Sequence, residues 1–285
     1  MVAVTLSIDN FRAVGLLLGI YSNPGTVLMK ANYTLVMVAA AMLYATGCTT
    51  IGATILGINT NPEWHFPEEA TAFQEKRDIP IAQYYLLDTV SYRAAIIQTA
   101  EASLQAAALP SGTVDSVELD RINDILKDDY QPVQMRFFDA DGEGIYASLN
   151  CDLDPPIPMR WNVKGALDQF PPDQNKLPYG KDRTLRPMSY YLPHLRKADG
   201  SAVTREELPR ADYYAVLMVN DIFRKPSKKL LKTVRNYLKR QDADVHVLYV
   251  NNHNSEIWVQ MDDATKLMIK DAYNQSTTGS TTSSK

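Results

Sequence analysis

Cysteine is scarce in this chain of 285 residues: there are two, Cys48 and Cys151, with no C-x-x-C anywhere. That excludes a zinc ribbon and a dithiol redox centre on ligand count alone. The four histidines (His65, His194, His246, His253) are scattered, with no H-x-x-H or H-E-x-x-H spacing, so a zinc hydrolase lacks its ligands. No G-x-S-x-G elbow, P-loop or G-x-G-x-x-G occurs, which removes the most legible hydrolase and nucleotide-binding classes. A strong charge of either sign is missing too. The net charge is −4, with 22% charged residues, and gives no global reason to expect a nucleic-acid partner. The expectation is no cofactor, no metal and no catalytic set. An apolar fraction of 45% is ordinary for a protein that buries a core.

The absence with the largest consequence is local. No charged residue stands between Lys30 and Glu63, and that gap holds the apolar run Tyr33 to Cys48. A surface helix shows charges every few positions, so this run prefers a bilayer or a fully buried site. Read from Met29, the segment gives a short positive start at Lys30, an apolar stretch from Leu35 to Leu43, and the small residues Ala45-Thr46-Gly47 before Cys48. This resembles the lipobox of bacterial lipoprotein signal peptides, with Ala45 where Leu is usual. The resemblance implies cleavage before Cys48, a lipid on its sulfur, and a place in the bacterial cell envelope, at the outer membrane or the periplasmic face. Two alternatives remain open: an uncleaved span from about Thr34 to Ile58, and a buried core helix.

The rest of the chain reads as mixed α/β. Thr60 to Pro67 is a proline-broken loop. Ile81 to Leu109, free of Gly and Pro, predicts one long helix ended by Pro110-Ser-Gly112, and Ser116 to Tyr130 predicts another, capped by Asp115 or Ser116. Val133 to Phe138 and Ile145 to Leu149 flank Asp139-Ala-Asp-Gly-Glu-Gly144, a strand-turn-strand signature. The acidic triplet Asp139/Asp141/Glu143 lacks the closing Glu of a calcium loop and reads as a solvated turn. From Asp154 to Pro193, prolines at 155, 156, 158, 171, 172, 178, 187 and 193 make regular backbone pairing hard to sustain. The aromatics Trp161, Phe170, Tyr179, Tyr190 and Tyr191 argue that this segment packs on something. Tyr213 to Val219 reads as a strand buried on both faces, Ser227 to Gln241 as an amphipathic helix, and Val245 to Val250 as a second strand. A third strand is expected at Glu256 to Met261 after a turn at Asn251 to Ser255, then a helix from Asp262 to Tyr273. The expected division is 1–47 leader or anchor, 48–130 tether and helical region, 131–194 hairpin and proline-rich region, 195–274 α/β region, and 275–285 low-complexity tail.

Leu195 to Asn251, about a fifth of the chain, resembles the thioredoxin superfamily in its membrane-tethered periplasmic reductase branch. The match runs through Leu195-Arg-Lys-Ala-Asp-Gly-Ser-Ala-Val203 as the opening Asp-Gly hairpin and Arg205-Glu-Glu-Leu208 as the connection. The central strand falls at Ala215 to Asn220, and Phe223-Arg-Lys-Pro-Ser227 stands at the redox motif, ahead of the basic helix. It implies a thioredoxin-like β-α-β-β-α fold. Arg224 and Ser227 occupy both cysteine positions, and neither side chain replaces a thiolate. No proline follows Pro226 to serve as the family's cis-proline. What the resemblance implies is a redox-silent relative.

Two further candidates come from the residues alone. Arg224 to Arg240 carries eight Lys/Arg and no acid, and helical spacing brings Lys228, Lys232, Arg235 and Lys239 to one face. That face either contacts anionic headgroups or an acidic partner, or is a solvated outer surface. Cys151 is a candidate reactive thiol, against the alternative of a buried or paired cysteine. The functional expectation is a lipid-anchored envelope component that binds or assembles without catalysis. Its partners would be the membrane, through Cys48, and an unidentified envelope protein, with no nucleic acid and no small-molecule substrate. The alternatives are a thiol-dependent relative of the thioredoxins and a structural subunit of a secretion or surface assembly.

Overall fold

A computed structural model describes residues 58–59, 62–65, 67–107, 116–152, 160–178, 180 and 183–260. The expected anchor, with Ala45 and Cys48, lies outside them, as do Pro155 to Pro158, the helix expected from Asp262 and the C-terminal tail. Among the described residues, no helix is long and apolar enough to cross a membrane.

The chain is mixed α/β, built on a six-stranded sheet with the order β3-β2-β5-β6-β1-β4. The strands are β1 (Tyr84–Leu87), β2 (Gln134–Asp139), β3 (Gly144–Leu149), β4 (Leu195–Arg196), β5 (Tyr213–Val219) and β6 (Val245–Asn251). The five helices described are α1 (Pro67–Lys76), α2 (Thr89–Ala107), α3 (Ser116–Asp129), α4 (Arg224–Leu238) and α5 (His253–Gln260). β5, β6 and β1 run parallel, while β2, β3 and β4 add antiparallel edges. β5 lies between β2 and β6, and the near-continuous apolar run of Tyr213 to Val219 follows from that place, since both its faces are covered.

The period of two divides the core. Met135, Phe137, Ala215, Leu217, Val219, Val247 and Tyr249 face one side, packed with Leu230, Leu231, Val234 and Tyr237 of α4 and with Phe73 of α1. Phe138, Tyr214, Val216, Met218, Leu248 and Val250 face the other, against Tyr92 and Ile96 of α2. The proline-rich segment is ordered where described. It forms single helical turns that seat Trp161, Ala166 and Leu167 in the first core and Met188, Tyr191 and Leu192 in the second. Buried charges pin it: Arg183 donates to both Asp152 carboxylate oxygens at 2.7 and 2.9 Å and to Asp128 at 2.8 Å. Deeper in, Asp129 sits between Arg136 at 3.5 Å and Arg186 at 3.3 Å. Burial pushes its carboxyl above the usual range, against the pull of both guanidiniums.

The expected hairpin is present, with β2 and β3 antiparallel and Gly142 turning at φ +90°. Asp139 Oδ1 accepts the backbone N–H groups of Asp141 and Glu143 at 3.0 and 2.9 Å, so that carboxylate shapes the turn. Two expectations are corrected. The long helix expected from Ile81 is a one-turn helix at Ile81–Gln83, then β1, and only then α2 from Thr89. Asp88 makes the break: its Oδ1 accepts the Ser91 N–H at 3.1 Å, capping α2. The third strand expected at Glu256 is helix α5, whose N–H at His253 is received by Asn251 Oδ1 at 3.0 Å. The unit seen at the C-terminal side is therefore β-α-β followed by a helix.

Candidate functional site

Burial of Leu230, Leu231, Val234 and Tyr237 against the sheet turns the remaining arc of α4 outward. Arg224, Lys228, Lys232, Arg235 and Lys239 share that arc, because steps of three, four and seven residues return to one side of a 3.6-residue helix. The arc borders a groove of about 600 Å³, closed on its far side by Lys76, Arg77 and Asp78 at the end of α1 and at its head by Asp221. Leu231 lies in its floor.

The cations of this groove divide into two kinds. Arg77 is committed: it pairs with Asp221 and stacks 3.8 Å above the Phe73 ring. Arg235 is committed as well, donating to the carbonyls of Arg77 and Asp78 at 2.8 and 2.7 Å, which caps the end of α1. Of the four residues that the sequence offers for an anionic partner, Arg235 is thus a clamp between two helices. Lys228, Lys232 and Lys239 have no hydrogen bond or ion pair among the described residues, and neither does Lys76. Arg224 is 59% exposed and reaches Asp221 at only 3.9 Å. Arg224 and Lys225 also open α4, where the helix dipole already places positive charge. This gathering of cations is electrostatically unfavourable until an anion arrives. Lys76 and Arg77 were not read as part of it, since the spacing within α4 does not show that α1 packs beside it.

At the same end of the sheet, the segment before α1 lies across the carboxyl ends of β5 and β6. Ile58 bridges Phe223, and Asn59 N–H donates to the Ile222 carbonyl at 2.7 Å. His65 N–H donates to Asn254 Oδ1 at 2.8 Å while Asn254 Nδ2 donates back to the His65 carbonyl at 2.8 Å. The rings of His65 and His253 stack at 3.5 Å, 5° from parallel. His253 Nε2 donates to the Glu63 carbonyl at 2.8 Å. Burial pushes the His253 imidazole down to about 4, so it is neutral at pH 7. Three residues on, burial pushes the Glu256 carboxyl up to about 7 despite Arg93 at 3.9 Å.

The other candidates fall elsewhere. Cys151 lies in the single helical turn Asn150–Asp152 after β3, and its side chain is outside the described residues. His246 faces Tyr214 on the second side of the sheet, with ring centroids 6.2 Å apart. One contact escaped the sequence: Ser91 Oγ stands 2.9 Å from His194 Nδ1, residues 103 apart in the chain. That hydroxyl also donates to the Asp88 carbonyl at 3.3 Å, while the Asp88 carboxylate serves Ser91 N–H and Arg196. Among the described residues no carboxylate hydrogen-bonds the imidazole, and the pair sits at the start of α2. Among the described residues, no three metal-ligating side chains converge.

Comparison of the chain with known proteins finds no matching family model, no matching curated protein and no matching solved structure.

Proposed function

We propose that this chain is a lipid-anchored protein of the bacterial cell envelope that acts by binding and not by catalysis, holding an anionic component of the envelope in the groove between α1 and α4. The observation that carries this reading is the row Lys228, Lys232 and Lys239, none of which is in an ion pair among the described residues, beside a groove of about 600 Å³ that Asp78 and Asp221 also line. Such a row lowers the free energy of the folded chain only when an external anion completes it. Anchoring rests on the charge-free run before Glu63 and the lipobox-like residues ending at Cys48. The reading of Leu195 to Asn251 as a redox-silent relative of the thioredoxins rests on its sequence pattern, with Arg224 and Ser227 at the two cysteine positions.

A photocrosslinking residue at position 236, beside the lysine row, tests the reading in membranes from cells making the full chain. The expected result is one recurrent crosslinked species, lost when Lys228, Lys232 and Lys239 are all changed to Ala and suppressed in about 1 M salt, where charges are screened beyond roughly 3 Å. Crosslinks that persist unchanged in the triple variant overturn it. Mass spectrometry of the mature protein reads the anchor: a diacylated N-terminus at Cys48 supports it, and an unmodified chain retaining Met1 overturns it.

A further inference from the structure

The strength of the groove lies in where it sits relative to the tether. The groove is headed by Asp221 and Arg224, and the two residues between them, Ile222 and Phe223, are the ones gripped by Asn59 and Ile58. The chain coming from the N-terminal side therefore reaches the folded region at the mouth of the cationic groove. It is held there at several points: the Ile58 bridge, the Asn59 N–H bond, the Glu63 carbonyl under His253 and the two-way bond of His65 with Asn254. These bonds fix residues 58–59 and 62–65 to the domain. Ten residues separate Cys48 from Ile58, which span at most about 35 Å when fully extended.

From this geometry we infer that the lysine face of α4 is a membrane-docking surface, and that its occupant is the anionic headgroup layer of the same bilayer that holds the N-terminal segment. The inference rests on the anchoring reading above. That reach holds the mouth of the groove within about 35 Å of the bilayer, and the cations next to that mouth share its limit. Their layout suits a surface of many phosphates. At 1.5 Å per residue, Lys228, Lys232 and Lys239 rise along α4 at about 0, 6 and 16 Å. The available cations are mainly lysines, hydrated point charges without a planar fork, which favour a fluid layer of headgroups over one bidentate site. Two of the groove's three arginines, Arg77 and Arg235, are turned inward to hold α1 on α4. The groove then gives headgroups room to sit between the two helices.

The experiment uses the full chain, reconstituted on vesicles of phosphatidylcholine and on vesicles of phosphatidylcholine mixed with phosphatidylglycerol. Flotation reads anchoring. Acetylation rates of Lys228, Lys232 and Lys239, followed by peptide mass spectrometry, read docking, with exposed Lys127 of α3 as the internal control on the other side of the sheet. The chain is expected to float with both vesicles, and the three lysines to react on the order of tenfold more slowly on the anionic ones, given about fivefold per cation at such a surface. The protection vanishes in about 1 M salt, and Lys127 is unaffected throughout. Flotation with both vesicles but equal lysine rates overturns docking and leaves anchoring intact. Flotation with anionic vesicles alone, lost in K228A/K232A/K239A, overturns the anchor and keeps the groove as the membrane contact. Protection produced by added polyglutamate and not by phosphatidylglycerol overturns the lipid assignment in favour of an acidic polypeptide.

Discussion

His253 and Glu256 occupy adjacent turns of α5 and are displaced in opposite directions by the same cause, loss of water. The folded His253 titrates near 4, below an unfolded value near 6.5. Between those values the unfolded chain holds one proton more, so stability rises with pH and acidification weakens the fold. The folded Glu256 titrates near 7, above an unfolded value near 4.5. Across its window the folded chain holds one proton more, so stability falls as pH rises. The two windows overlap from about pH 4.5 to 6.5, where each slope amounts to about 1.4 kcal/mol per pH unit and the two oppose each other. Glu256→Gln is expected to leave the effect of His253 unopposed, making stability climb more steeply with pH across that range than in the unaltered chain. His253→Gln is expected to tilt the profile the other way by a similar amount. Urea denaturation midpoints measured at half-unit intervals check both. Equal slopes in all three proteins contradict the burial of these groups. None of this was legible beforehand, because the sequence shows two polar residues near a turn. Their environment is set by Arg93, Glu63 and His65, which lie more than a hundred residues away in the chain.

At the scale of elements, α4 shows how one helix divides its work. Leu230 is wholly buried in the sheet-facing core, whereas Lys232 points into the groove. Leu230→Ala is expected to cost about 2–5 kcal/mol of unfolding free energy through lost burial and the cavity left behind. Lys232→Ala is expected to stay within about 0.5 kcal/mol while weakening anion binding. Comparison of denaturation midpoints with crosslinking yield at position 236 separates the two roles. This helix and the strands beside it were readable because their apolar residues recur at one clear period. β1 was not. Tyr84-Tyr-Leu-Leu87 has no polar alternation, since three of its four residues are buried, and no Gly or Pro separates it from α2. A four-residue apolar run joined to a helical pattern reads as more helix, and Asp88 is the sole local sign of the break. α5 failed for the converse reason: Ile257-Trp258-Val259 is a short run of strand-favouring residues, yet Asn251 caps a helix there and Ile257 and Trp258 are buried from it. The basic face of α4 was legible from spacing, while the groove was not, because its opposite wall is α1, about 150 residues earlier in the chain, and only tertiary packing brings the two together.

At the scale of the whole molecule, the sheet joins segments that are far apart in the chain. β1 pairs with β6 on one side and β4 on the other, and β5 lies between β2 and β6. The inner pair β5 and β6 closes only when α4 has crossed between them and both cores have formed, so its hydrogen bonds open only when the whole fold opens. β4, with two residues, and α3, whose Val117 and Leu119 face solvent, depend on far fewer buried contacts. Amide exchange is expected to be slowest in Leu217 to Val219 and Leu248 to Val250, at the rate set by global unfolding, and several orders of magnitude faster in α3. The strap at Asn59 to His65 supplies the sharper test. Its bonds to Ile222, His253 and Asn254, with the ring contacts of Trp64 and His65, fix where the chain enters the domain. Asn254→Ala removes both bonds to His65 and is expected to raise exchange at the His65 amide about tenfold or more while leaving β5 and β6 unchanged. If the inner strands loosen by the same factor, the strap belongs to the cooperative core and is not a separate latch between tether and groove.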